Sequence, residues 1–334
     1  MVTQPPASGP ENASGEAAPH ITHPVHAFGG RDMDLRTELA LMAIVNRTPD
    51  SFYDRGKTFA LDAAVNAGVE ANRNGAEIID IGGVPFAPGE QLSPDEERGR
   101  VEPVVREVAG QCLATISVDT FHADVAGACL AAGARIINDT TGLSDPDMAR
   151  TVADHDAYLV ITHSLARPRT SYPRPQYDDV TREVREFLGR KAEEAISAGV
   201  PPERIIVDPG LDLNKNTLHS LELLRRLPEI ASLGFPVLSA PSRKDFIGEA
   251  VGARREDRLP GSLTTAVLSA LGGARIIRMH DVAASRQTLD MVACTLGWSE
   301  PRVLKHNMGD ENTPEDIFDT LDGAAGENRQ SGVA

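Results

Sequence analysis

Gly75-Ala76-Glu77-Ile78-Ile79-Asp80 returns as Gly133-Ala134-Arg135-Ile136-Ile137-Asn138, and a third time as Gly273-Ala274-Arg275-Ile276-Ile277-Arg278. Each copy has the same physical reading. The glycine closes a helix with φ > 0. Two isoleucines then face the core and the helix layer from one strand. A polar side chain stands where the strand ends. The copies lie 58 and 140 residues apart, spacings that fit two and four strand–helix units. Outward from these copies, β-branched runs alternate with Ala-rich stretches. Strands are expected at about 40–45, 77–81, 115–118, 135–138, 157–162, 204–207, 236–239 and 275–278. Helices are expected near 60–74, 95–109, 121–132, 146–154, 178–198, 216–226, 260–272 and 282–296. Alternation of this kind implies a parallel sheet, and eight units close into a single (β/α)8 TIM barrel. A doubly wound open sheet lacks support, because no Gly-x-Gly-x-x-Gly follows the first strand.

The flanks differ from this body. Residues 1–35, rich in Pro, Gly, Ala and Ser, are expected to form a disordered tail, 36–300 the barrel and 301–334 an acidic tail. His20, His23 and His26 read as part of a polar tail. The net charge of −16 argues against a nucleic-acid partner. It leaves room for a local basic pocket. No run of 18 apolar residues is present, so no membrane span is expected. The first Lys or Arg is Arg31 and no apolar stretch precedes it, so a secretory signal is not expected. Cys112, Cys129 and Cys294 have neither metal nor disulfide spacing, which suits a reducing cytoplasm.

Strand after strand finishes on a polar side chain: Asn46, Asp80, Asp119, Asn138, His163, Asp208, then Arg278 and His280. Ser242-Arg243-Lys244 follows the seventh strand. In a barrel these ends meet on one face, where active sites lie. Taken singly, Asp208-Pro209-Gly210 also reads as a turn and Asp281 as a helix cap. Taken together, the set reads as a ligand-binding mouth. Asp119, Asn138 and Asp208 suit the hydrogen-bonding edge of a planar heterocycle such as an amino-pyrimidine. Lys244, Arg278 and His280 supply positive charge for a phosphate or pyrophosphate. Asn46 is placed to ligate Mg²⁺ beside phosphate oxygens, or to cap a helix.

In order and spacing, Asn46-Arg47-Thr48-Pro49-Asp50-Ser51-Phe52, Asp80-Ile81-Gly82-Gly83, Ser117-Val118-Asp119-Thr120, Ile137-Asn138-Asp139, Asp208-Pro209-Gly210, Ser242-Arg243-Lys244 and Arg278-Met279-His280-Asp281 resemble dihydropteroate synthase from about residue 38 to 298. The resemblance implies a homodimeric (β/α)8 barrel of folate biosynthesis. That family joins p-aminobenzoate to a hydroxymethyl-dihydropterin pyrophosphate with Mg²⁺. It assigns Asp119, Asn138, Asp208 and Lys244 to the pterin, Arg278 and His280 to the pyrophosphate and Asn46 to the metal. If the chain transfers its alkyl group at all, Lys244 and Arg278 are the catalytic candidates.

Departures cluster on one side of that site. The family follows Asp-Ile-Gly-Gly with Glu-Ser-Thr-Arg-Pro-Gly, where Thr and Arg contact the aminobenzoate and the pyrophosphate. This chain has Val84-Pro85-Phe86-Ala87-Pro88-Gly89. Losing such a donor costs on the order of 10²–10³ in rate. The family's Gly-Phe-x-Lys becomes Asp212-Leu213-Asn214-Lys215, its Gly before Ser-Arg-Lys becomes Ala240-Pro241, and the Met residues flanking His163 become Thr162 and Ser164. The pterin and pyrophosphate floor survives while the aminobenzoate wall does not. This pattern resembles the diverged, inactive second copy found in some actinobacteria, mycobacteria included. The expectation is a pterin-binding pseudoenzyme with absent or very weak synthase activity. An active synthase, with Arg47 or Arg55 replacing the lost guanidinium, and a related transferase with another acceptor remain the alternatives. Trp298 and Leu296 read equally as a dimer patch or a buried intrachain contact.

Overall fold

The computed structural model describes residues 20–46, 56–84, 88–172 and 174–304. Two short strands, β1 (Val25–Phe28) and β2 (Arg31–Asp34), form an antiparallel hairpin. Eight parallel strands follow: β3 (Ala40–Asn46), β4 (Ile78–Gly82), β5 (Thr115–Asp119), β6 (Ile136–Asp139), β7 (Tyr158–Thr162), β8 (Ile205–Asp208), β9 (Val237–Ser239) and β10 (Ala274–Met279). They close into a barrel in that order, with β10 pairing β3. Each lies within one residue of its expected span. Between them run α1 (Gly56–Arg73), α2 (Pro94–Ala109), α3 (Ala123–Ala132), α4 (Met148–Asp154), α5 (Val180–Ser197), α6 (Thr217–Arg225), α7 (Leu227–Ala231), α8 (Asp245–Val251), α9 (Leu259–Leu271) and α10 (Val282–Thr295). The sequence reading missed α7 and α8, of five and seven residues, which are too short for a readable apolar period.

The repeat folds as its chemistry requires. Gly75, Gly133 and Gly273 have φ of 95, 122 and 103°, open only to a residue without a β-carbon at little strain. Ile78, Ile136 and Ile276 fill the barrel interior, while Ile79, Ile137 and Ile277 pack against the helices. Strand alternation therefore builds two cores from one hydrophobic run.

The expected disordered tail through residue 35 needs correction. Residues 20–35 carry the hairpin, which stops the N-terminal end of the barrel. Phe28, Met33 and Leu35 are fully buried with Met42, Ile78 and Tyr158. His26 stacks on Phe28 at 5.6 Å, and its Nε2 meets the His23 carbonyl at 2.7 Å. Burial holds its pKa below the usual value. Tyr158 Oη accepts from Ala27 N, and Thr115 Oγ1 accepts from Gly29 N at 3.0 Å. Polar composition concealed these few anchors, because each pairs with a barrel residue more than eighty positions away. Residues 1–19 and 305–334, the remainder of both expected tails, lie outside the described residues. A second compact unit begins at Ser299, and its described residues 299–304 form no helix or strand.

Trp298 lies under the Arg275 guanidinium at 4.7 Å, and with Leu296 it packs on the core of its own chain. All three cysteines are free. No helix among the described residues is long and apolar enough to cross a membrane.

Candidate functional site

Side chains two apart on a strand share a face. Above the interior isoleucines at 78, 136, 206 and 276 therefore come Asp80, Asn138, Asp208 and Arg278, the layer nearest the C-terminal mouth. Ser117 and Asp119 join them from β5. Arg278 Nε donates to Asp80 Oδ2 at 2.6 Å, and its NH2 group reaches Asp119 Oδ2 at 3.4 Å. Asp80 is fully buried and also accepts from Ser117 Oγ at 2.6 Å and Asn138 Nδ2 at 3.1 Å. These charge-assisted bonds fix the guanidinium and the amide in place. They also leave Asn138 Oδ1, a buried acceptor in the pocket lining, without a partner.

Burial pushes Asp119 well above the usual carboxylate range; Arg278 opposes this and Asp80 adds to it. Asp208 is raised by burial too, and its Oδ1 accepts from Gly210 N at 2.7 Å, so the turn and the mouth readings hold together. Lys244 sits at the start of α8, lowered by burial against the pull of Asp212 and Asp208. His280 is exposed at the rim, and its Nδ1 meets Ser242 Oγ at 2.8 Å. Desolvation and Arg278 keep it below its ordinary pKa. Asp281 opens α10 without capping it; it holds Arg243 in a fork at 2.8 and 2.9 Å, bracing the connection that carries Lys244.

The resulting cavity, about 600 Å³ with its open mouth, has a polar floor of Asp119, Asn138, Asp208, Lys244 and Arg278. Its wall is mostly apolar, formed by Val84, Phe121, Pro168, Leu211, Leu213 and Ala240, with the unpartnered hydroxyl of Thr140 among them. Arg47, Arg55 and residues 85–87 lie outside the described residues. Asn46, exposed at the end of β3, pairs in register with Gly82, which pairs with Asp119. A β-carbon at Gly82 would lie 3.4 Å from Asn46 Oδ1 and 3.9 Å from Asp119 Oδ2. The missing side chain thus leaves a gap with two oxygen donors on its border. That donor set fits Mg²⁺, which takes few protein ligands and completes its shell with water and phosphate oxygens.

Several groups escaped the sequence reading. Asp80, the anchor of Arg278 and Asn138, was visible only as one strand end among many. Lys215 is buried; its Nζ lies 2.9 Å from His163 Nδ1 and donates to the carbonyls of His163 and Leu213. Burial brings Lys215 down to about 7, and burial with Lys215 brings His163 down to about 2. Ser164, which stands where the family has Met, is matched by Asn214: Asn214 Oδ1 accepts from the Ser164 hydroxyl and from the amides of Leu165 and Ala166. Leu143, Arg169, Asp212, Asn214 and Arg243 hold positive φ on connections that follow β6, β7, β8 and β9. Backbone strain gathers where a site must be shaped.

A family profile described as pterin binding enzyme matches residues 42–280. Inactive dihydropteroate synthase 2 of Mycobacterium bovis is 45% identical over 267 residues, which span 78% of this chain and 84% of that protein. Dihydropteroate synthase of Escherichia coli is 38% identical over 273 residues, 81% of this chain and 96% of that enzyme. Among solved structures, Xanthomonas albilineans dihydropteroate synthase with 4-aminobenzoic acid superposes with a TM-score of 0.75 at 38% identity, covering 82% of this chain and 98% of that one. The same enzyme in complex with 7,8-dihydropteroate gives 0.73. The barrel, its polar upper layer and these relatives agree: the chain belongs to the dihydropteroate synthase family of pterin-binding enzymes.

Proposed function

We propose that this protein binds a reduced pterin, or its pyrophosphate, at the barrel mouth and has absent or very weak dihydropteroate synthase activity. The observation that carries the reading is the contrast within one cavity. The floor keeps Asp119, Asn138, Asp208 and Arg278 in hydrogen bonds, with Lys244 beside them and Asn138 Oδ1 unmet. The wall offers Val84, Leu213 and Ala240 where a second, polar substrate would need donors. The M. bovis relative, an inactive dihydropteroate synthase 2, points the same way.

Asp119, Asn138 and Asp208 would meet the donor edge of the pterin, with Lys244 over its acceptor side. Arg278 and His280 would face the pyrophosphate. Asn46 would hold Mg²⁺, which when bound offsets charge on the pyrophosphate oxygens. In a working synthase the bond from the pterin methylene carbon to pyrophosphate breaks as the arylamine nitrogen bonds that carbon and gives up a proton. Here Arg278 is already held by Asp80 and Asp119, and among the described residues outside the floor the lining offers the Thr140 hydroxyl but no cationic side chain. We further propose a cytoplasmic homodimer, supported by Leu268 and Met291, which stand exposed on α9 and α10. No role with nucleic acid or membrane is proposed.

Calorimetry with the hydroxymethyl-dihydropterin pyrophosphate, with and without Mg²⁺, beside a product assay with p-aminobenzoate tests the reading. Binding without product is expected. Grafting Glu-Ser-Thr-Arg onto 84–87 is expected to recover measurable synthesis. Fast product formation by the unaltered chain would overturn the proposal in favour of an active synthase.

A further inference from the structure

We infer that Thr140 is a specificity determinant of the cavity: its hydroxyl takes the oxygen on the side-chain methylene of a pterin whose pyrimidine edge lies on the floor. The inference rests on the reading that the floor holds a pterin.

Strand register places the group. β6 ends on Asn138 and Asp139, and alternation sends their side chains to opposite faces. Asn138 lines the cavity. Asp139 takes no part in the lining and is spent on its own turn. Its Oδ1 accepts from Thr141 N at 2.7 Å and Thr141 Oγ1 at 2.6 Å, and its Oδ2 accepts from Leu143 N at 3.1 Å. Thr140 then returns to the Asn138 side and lines the same cavity. Two residues of chain carry it about 6–7 Å further toward the mouth. That step is close to the distance across a pterin, from its amino-pyrimidine edge to the carbon that bears its side chain.

The hydroxyl has no partner in the chain. Thr140 Oγ1 is buried and makes no hydrogen bond, whereas the next hydroxyl along, that of Thr141, is engaged by Asp139. The remaining wall side chains, Val84, Phe121, Pro168, Leu211, Leu213 and Ala240, are all apolar. A buried hydroxyl left unmet is costly. Valine has the same outline without that cost, so packing alone does not call for threonine here. One step about χ1 exchanges the hydroxyl with the methyl, so the side chain can present its oxygen to a ligand with the backbone unmoved.

Two unmet groups therefore stand one layer apart on one chain segment. Asn138 gives its amide protons to Asp80, which leaves Oδ1 as an acceptor. The Thr140 hydroxyl donates or accepts. A ligand that meets both needs a donor on its inner edge and an oxygen one layer further out. A pterin with a hydroxymethyl side chain carries both. The same ring with a methyl side chain meets Asn138 and leaves Thr140 unmet.

The test titrates 6-hydroxymethylpterin and 6-methylpterin into the full chain by calorimetry. The unaltered protein is expected to bind the hydroxymethyl compound about tenfold more tightly. Thr140→Val is expected to erase that preference by weakening the hydroxymethyl compound alone. Thr140→Ser keeps the hydroxyl and is expected to keep the preference, which separates hydrogen bonding from packing. Equal affinities in the unaltered chain, a preference that survives Thr140→Val, or one lost equally in Thr140→Ser would overturn the inference and leave the pterin reading standing. Binding of neither compound would overturn the pterin reading, and the role of Thr140 with it.

Discussion

Replacing Glu97 by Gln should stabilise the protein by an amount that grows as pH rises from about 4.5 to about 7 and stays constant above that. Glu97 lies in the first turn of α2, behind Gly83, with no exposure. Neither carboxyl oxygen has a well-formed hydrogen bond; His122 Nε2 stands 3.9 Å away and is itself lowered by burial. Burial pushes the Glu97 carboxyl up to about 7, against a partial pull from Thr120 and Arg100. The sign follows from proton counting. Between about pH 4.5 and pH 7 the folded chain keeps a proton here that the unfolded chain has released. Stability therefore falls as pH rises through that window. A shift of this size corresponds to a loss of ~3 kcal/mol by pH 8. Gln keeps the shape of the neutral acid and cannot ionise. Asp119, Asp139, Asp208 and Glu77 are also raised by burial, but they titrate in both chains and largely cancel in the difference. Urea unfolding of both proteins at pH 4.5 and pH 8.5 is the assay. The expected result is near-equality at the lower pH and ~3 kcal/mol in favour of Glu97→Gln at the higher. A stability gap independent of pH would refute the argument that this carboxyl is protonated in the folded state.

Arg278→Lys keeps the charge but loses the planar fork that spans Asp80 and Asp119; affinity for the pterin pyrophosphate should fall by roughly ten- to thirty-fold in calorimetry. Phe28→Ala should lower unfolding free energy by ~3–5 kcal/mol in a denaturant titration, since the ring is fully buried between His26 and Tyr158. An effect below about 1 kcal/mol would mean the hairpin does not belong to the folded core.

The barrel was legible because its signal is local and repeated. Three copies of Gly-Ala-x-Ile-Ile gave helix stop, strand face and strand end within six residues each. The mouth was legible for the same reason, since alternation on a strand places Asn138, Asp208 and Arg278 without any knowledge of distant contacts. What stayed hidden depends on partners far along the chain. Asp80 becomes an anchor only because Arg278, 198 positions away, lies on the neighbouring side of a closed barrel. Asp212 looked like one added negative charge; its carboxylate meets the Ser220 hydroxyl and the Asp245 amide only once folding brings them together. The hairpin failed to show because a four-residue strand of His, Ala and two apolar residues has no period to read.

With Ile78, Ile136, Ile206 and Ile276 filling the barrel and Phe28, Met33 and Leu35 stopping its far end, no passage runs through the described residues from the mouth to the opposite pole. Whatever lodges inside must leave by the route it entered, so a slowly departing molecule also bars its successor. Residue 20 enters from the opposite pole, and a fusion partner attached ahead of it would start away from that traffic.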